Sequence, residues 1–78
     1  MKEKSVNTVR PFDILMNSKG KEVEVKLKSG IIYKGKLKAF DIHMNIVLYE
    51  TTEIINENSE LIGNIFIRGD TIVTIKGL

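Results

Sequence analysis

The stretch KEVEVKLKSG, beginning at Lys21, most constrains what this chain can fold into. Val23, Val25 and Leu27 alternate with Glu24, Lys26 and Lys28, the period of two that makes one face of a strand apolar and the other wet. Ser29-Gly30 then supplies a tight turn, and IIYKGKLKAF returns with Tyr33, Gly35, Leu37 and Ala39 on the inner side and Lys34, Lys36 and Lys38 on the outer. A glycine inside a strand marks a sharp bend or a close backbone approach, and both occur where a small sheet curls into a barrel.

Upstream, Phe12, Leu15 and Met16 fall at i, i+3 and i+4, which predicts a short amphipathic helix over about 11–17. Pro11 suits its first position and Gly20 lies just past its end, although Arg10 is a poor N-cap. Downstream, NIVLYETTEII reads as a third strand and NENSE as a polar turn. LIGNIFIRGDTIVTIKGL gives a fourth strand, a break at Arg68-Gly69-Asp70 and a short fifth strand. The expectation is one all-β domain over 1–78, an N-terminal helix followed by a barrel with strands at about 22–29, 31–41, 44–55, 60–68 and 71–76.

A chain of 78 residues sits near the lower size at which one apolar core suffices, so small domains commonly add disulfides, metals or oligomerisation. Cysteine is absent and histidine occurs once, which excludes disulfides and thiolate sites and leaves no basis for a structural zinc or other cofactor. Oligomerisation remains. The fifth strand, TIVTI, is short, uncharged and β-branched, so an exposed edge there would invite uncontrolled pairing. Either it closes its own barrel, or strand four of one copy pairs with strand five of the next and the copies close into a ring.

The amino-terminal MKEKSVNTVRPF lacks the apolar run of a signal peptide, and no stretch approaches the roughly 20 apolar residues of a membrane span, so a cytoplasmic protein is expected. A net charge of +2 and a pI near 9.0 permit a nucleic-acid partner without demanding one. Ten of the twelve cations are lysine, which singles out Arg10 and Arg68, because a planar guanidinium stacks and forks as an ammonium does not.

The stretch DIHMN raises the functional question. Read as extended chain, it places Asp41, His43 and Asn45 on one side and Ile42 and Met44 on the other, anchored to the core. A converging site and the solvated side of a half-buried strand both fit the stretch alone. Catalysis has little support: Asp41 and His43 could form an acid–base pair, but no motif places a Ser or Cys nucleophile beside them, and there is no phosphate-cradling glycine loop or metal cluster.

The run GKEVEVKLKSGIIYKGKLKAFDIHMNIVLYE resembles the first motif of Sm and Sm-like (Lsm) proteins, and GNIFIRGDTIVTI resembles the second, centred on Ile67-Arg68-Gly69-Asp70. The resemblance extends from about residue 8 to residue 78, and IRGD is similar to the archaeal and eukaryotic branch rather than the bacterial Hfq branch. A compact chain of this kind looks most like an archaeal homo-oligomeric member. The resemblance implies a short N-terminal helix and a strongly bent five-stranded antiparallel Sm-fold (SH3-like) barrel. It further implies a ring, most often of seven, joined by strand four to strand five pairing, with single-stranded U-rich RNA as partner.

Carried over by position, the uridine pocket comprises His43, Asn45 and Arg68, supported by Gly69 and Asp70, with Asp41 bracing the loop. Imidazole and guanidinium planes suit stacking of a base, and the Asn45 amide offers the donor and acceptor that complement uracil O4 and N3–H. Cytosine reverses that pattern. If Asp70 accepted a hydrogen of the Asn45 amide, a flip toward cytosine would set carbonyl oxygen against carboxylate. Gly69 is expected to hold a backbone conformation closed to other residues. Other roles stay open: Arg68 as a brace to Asp41 or Asp70, Lys34, Lys36 and Lys38 as a solvated face or a steering row, Tyr33 as core or stacking platform, and Met44 as core filling. A ring that scaffolds proteins, with little or no RNA binding, is the competing function.

Overall fold

The computed structural model describes residues 11–78, without the side chains of residues 11, 12 and 14. Arg10 as a cap and Phe12 as part of the helix's apolar face therefore lie outside the described residues. Helix α1 (Pro11–Ser18) is followed by strands β1 (Glu22–Leu27), β2 (Ile32–Phe40), β3 (Ile46–Ile55), β4 (Asn58–Ile67) and β5 (Ile72–Gly77). All strand pairings are antiparallel, in the order β4-β3-β2-β1-β5. Among the described residues no helix is long and apolar enough to cross a membrane.

The period-two pattern holds where it is cleanest. Val23 and Val25 are fully buried against Leu15, Leu37, Ile46 and Leu48, with Ile67 4% exposed. Each such side chain contributes about 1.5–3 kcal/mol through its burial. Tyr33 packs half-buried against this cluster and donates its hydroxyl to Glu53 at 3.0 Å. Met16, in contrast, is 58% exposed, so only Leu15 of the described pair turns inward.

Two close features bend the sheet. Gly35 is buried where a Cβ would lie 2.7 Å from the Thr51 hydroxyl and 3.1 Å from the Tyr49 carbonyl oxygen, so β2 and β3 touch backbone to backbone there. The β2–β3 ladder also shifts register between Lys34 and Lys36 and again between Leu37 and Ala39. The second shift inverts the alternation: Ala39 is exposed rather than inward, and Phe40 opposite Ile46 takes the half-buried side.

NENSE is less of a loop than its polarity predicts. Only Asn56 and Glu57 make the turn, Asn56 at φ 58, and Asn58, Ser59 and Glu60 already belong to β4. Asparagine tolerates that left-handed conformation, which lets the hairpin reverse in two residues. At the other end of the sheet, β5 pairs with β1 and not with β4, so the chain's fifth strand does not close its own barrel against the fourth. Among the described residues, both outer strands keep an unpaired edge. Leu61 and Phe66 on β4 are 73% and 63% exposed, and Val73 on β5 is 56% exposed.

Candidate nucleic-acid interface

Asp41–Asn45 is a turn between β2 and β3 and not the extended segment its alternation suggests. The Asp41 carboxylate organises it. One carboxylate oxygen accepts the backbone N–H groups of His43 at 2.9 Å and Asn45 at 3.1 Å, and the other accepts the Asn45 side-chain amide at 3.1 Å. The Asp41 carbonyl accepts the Met44 N–H at 3.0 Å, while the Asp41 N–H donates to the Asn45 carbonyl at 3.1 Å. An aspartate that gathers donors two and four residues ahead is the local chemistry by which Asp favours turns over strands.

The turn carries a cost. Met44 stands at φ 67, a left-handed conformation worth about 1–2 kcal/mol of strain in a residue with a Cβ. Packing of its side chain against the core offsets this. Ile42 does not anchor the turn, being 77% exposed at its tip.

The second loop runs from Arg68 into a 3-10 turn over Gly69–Thr71. Thr71 closes it, donating its hydroxyl to the Arg68 carbonyl at 2.7 Å and its N–H to the same oxygen at 3.1 Å. Arg68 donates through Nη2 to Asp70 at 2.7 Å, with the two side chains 71% and 62% exposed. An exposed pair of this kind adds little to stability, about 0–1 kcal/mol, and its effect is to hold the guanidinium in one orientation.

Asn45 joins the two loops. Its Oδ1 accepts the Gly69 backbone N–H at 2.7 Å while its Nδ2 donates to Asp41. Flipping this amide would face its oxygen to the carboxylate and its NH2 to an N–H, so two separate contacts fix it. The carboxylate that fixes the amide is thus Asp41; Asp70 is engaged with Arg68 instead. Gly69 is required for a reason other than the expected one. Its φ is not left-handed; instead, a Cβ there would strike the His43 carbonyl oxygen and lie 2.8 Å from the Met44 carbonyl carbon.

The structure therefore brings Asp41, His43, Asn45 and Gly69 into one hydrogen-bonded junction, with Arg68 and Asp70 on its flank. His43 is exposed and its imidazole makes no hydrogen bond among the described residues, which leaves its ring face free. The Asn45 amide, and after it the Asn45 and His43 backbone N–H groups, hold the Asp41 carboxyl below the 3.8 of an unperturbed aspartate. It is the anion in neutral solution.

Thr71 is the positioning residue that pattern reading missed, because it was counted as the first residue of the last strand. Its signal was a threonine three positions after Arg68, the spacing at which a hydroxyl returns to a turn carbonyl. Lys28 and Ser29 at the first hairpin share an open groove with Arg68, Asp70 and Thr71, and the Lys28 N–H donates to the Thr71 carbonyl at 2.8 Å. Among the described residues no group of three His, Cys, Asp or Glu side chains is placed to hold a metal ion.

A bent antiparallel sheet led by a short helix, with two loops pinned to one another by an Asn and a Gly, defines an Sm-type domain. Residues 13–77 match the LSM domain family, and the chain belongs to that family. An Sm-like protein of Thermococcus sibiricus is 46% identical over 68 residues, covering 86% of this chain and 90% of the relative. The Sm protein of Pyrococcus abyssii, solved in complex with a uridine heptamer, superposes with a TM-score of 0.84 at 37% identity, covering 90% of this chain and 100% of that one. A heptameric archaeal Sm protein superposes with a TM-score of 0.79 at 36% identity, covering 82% of this chain and 94% of that one.

Proposed function

We propose that this protein assembles into a homo-oligomeric ring and binds single-stranded U-rich RNA, one uridine per subunit, in RNA metabolism in the cytoplasm. The function is binding and not catalysis. The observation that carries this reading is the locked Asn45 amide, because a side chain held in one orientation reads one hydrogen-bond pattern. One hydrogen of Nδ2 and one lone pair of Oδ1 remain after the internal contacts are made. They complement uracil O4 and N3–H, and they oppose the reversed pattern of cytosine.

His43 and Arg68 supply the flat groups on which a base stacks, for roughly 1–3 kcal/mol per base. Asp70 holds Arg68 for that purpose, Asp41 holds Asn45, and Gly69 admits the close approach of the two loops. A single such pocket is weak, and repetition around a ring raises avidity by factors of roughly 10² to 10⁴. Ring closure is supported by the two unpaired edges: β4 of one copy offers its backbone to β5 of the next, covering apolar side chains that a lone chain exposes. Seven copies at +2 carry roughly +14, so binding weakens as salt rises.

Fluorescence anisotropy with labelled oligo-U and oligo-C at low salt tests the reading. Saturable, salt-sensitive binding that ranks oligo-U above oligo-C is expected. Absence of saturable binding to either would favour a ring that scaffolds proteins.

A further inference from the structure

A second groove, of about 330 Å3, opens on the outer face of the sheet and shares no residue with the Asn45–Gly69 junction. It is lined by Lys19, Gly20, Leu37, Lys38, Tyr49 and Asn64. One wall is backbone held rigidly on β2. The segment after α1 bridges Lys19 to Leu37, the Gly20 N–H donates to the Leu37 carbonyl at 2.8 Å, and the Leu37 N–H donates to the Lys21 carbonyl at 3.0 Å. Gly20 stands at φ 81 with nothing within 4 Å of where a Cβ would be, so the wall is low there.

The other wall comes from side chains that alternation turns away from the core. Leu37 and Leu48 point inward, which leaves Lys38 and Tyr49 outward, and Asn64 is likewise exposed beside the half-buried Ile65. Tyr49 is half-buried, with the Lys36 ammonium 5.9 Å from its ring centroid and Lys36 itself paired to Glu50 at 3.0 Å. Lys19 and Lys38 differ from Lys36. Both are exposed, and neither makes an ion pair among the described residues.

The groove thus combines an aromatic ring, a side-chain amide and two uncompensated cations. A nucleotide matches all three: a base to lie against the ring, a polar base edge for the amide, and a phosphate for the ammonium groups. An acidic peptide would satisfy the lysines but has no use for the ring and amide together. We propose that this groove is a second nucleotide position, which takes one nucleotide of an RNA strand where it continues beyond the uridine pocket. Tyr49 meets the base, Asn64 its edge, and Lys19 and Lys38 the phosphates. The proposal rests on the RNA-binding reading above.

The assembled protein is titrated with two labelled RNAs, a uridine heptamer and the same heptamer carrying an oligoadenylate tail. Wild type binds the tailed RNA more tightly. Tyr49→Ala removes that gain, about tenfold, and leaves the heptamer affinity unchanged; Lys19→Ser with Lys38→Ser lowers the ring's charge and weakens both RNAs, and abolishes the difference between tailed and untailed affinity. The two lysines are exposed, so their replacement tests the groove even if Tyr49→Ala fails to fold. A tail that adds no affinity, or a gain that survives the lysine replacements, overturns the second position while leaving the uridine pocket intact. Failure of the wild-type protein to bind either RNA overturns both.

Discussion

Asn45 and Gly69 lie 24 residues apart in the chain, and the Asn45 side-chain oxygen accepts the Gly69 backbone N–H at 2.7 Å. This contact fastens the two loops of the site into one body. It exists because Gly69 lacks a Cβ that would strike the His43–Met44 backbone. Gly69→Ala should therefore lower unfolding stability by about 1–3 kcal/mol and weaken oligo-U binding by roughly tenfold or more. Denaturant unfolding and anisotropy report the two effects. Stability and affinity both at wild-type level would show that the loops are not joined in this way.

The two acids of the site have different tasks. Asp41 holds the Asn45 amide, and Asp70 holds the Arg68 guanidinium. In Asp41→Ala the amide is free to turn, and the preference for oligo-U over oligo-C should fall toward parity. Asp70→Ala should weaken both ligands and keep their ranking. Competition titrations of each variant against the two oligonucleotides separate these roles, and a reversal of the two outcomes would return the selectivity to Asp70.

Much of this was legible in the sequence where one physical rule acts alone. Alternation in EVEVKL placed Val23 and Val25 in the core, since both faces of that strand have unambiguous partners. It failed where a bulge intervened, at Ala39, because a register shift is set by cross-strand packing and leaves no mark on the strand's own pattern. The pattern of DIHMN was similarly misleading. Polar residues at every second position also arise when an Asp collects backbone donors two and four residues ahead, and that turn is what forms. Which acid meets Asn45 was beyond one-dimensional reading, because Asp41 lies four residues before it and Asp70 follows the Gly69 that Asn45 contacts, and only loop geometry decides between them.

The Asp41 contact carries a pH signature. Its carboxyl is held below 3.8 chiefly by the Asn45 amide, so its contribution to stability is complete above the unfolded pKa and is lost as pH falls through the lower folded value. The gap in Tm between wild type and Asp41→Ala should stay constant above about pH 5 and close below about pH 4. Thermal melts across that range check it. A gap that instead changed between about pH 6 and 8 would point to a different titrating group.

The bend in the sheet offers a test away from the site. The Thr51 hydroxyl is buried, packed against Gly35, and has no hydrogen-bond partner among the described residues. Thr51→Val removes the unpaired oxygen at nearly constant shape and should raise stability by about 1 kcal/mol. Gly35→Ala drives a methyl into the same contact and should lower it by about 1–3 kcal/mol. Denaturant midpoints of the two variants measure both signs. A destabilising Thr51→Val would mean that the hydroxyl has a partner.

The most direct measurement of the central claim is native mass spectrometry of the protein with oligo-U and with oligo-C. The account predicts a closed ring, seven-membered as in the heptameric archaeal relative, that retains an oligo-U strand and releases oligo-C under the same conditions. Single chains, or a ring that holds the two oligonucleotides equally, would contradict it.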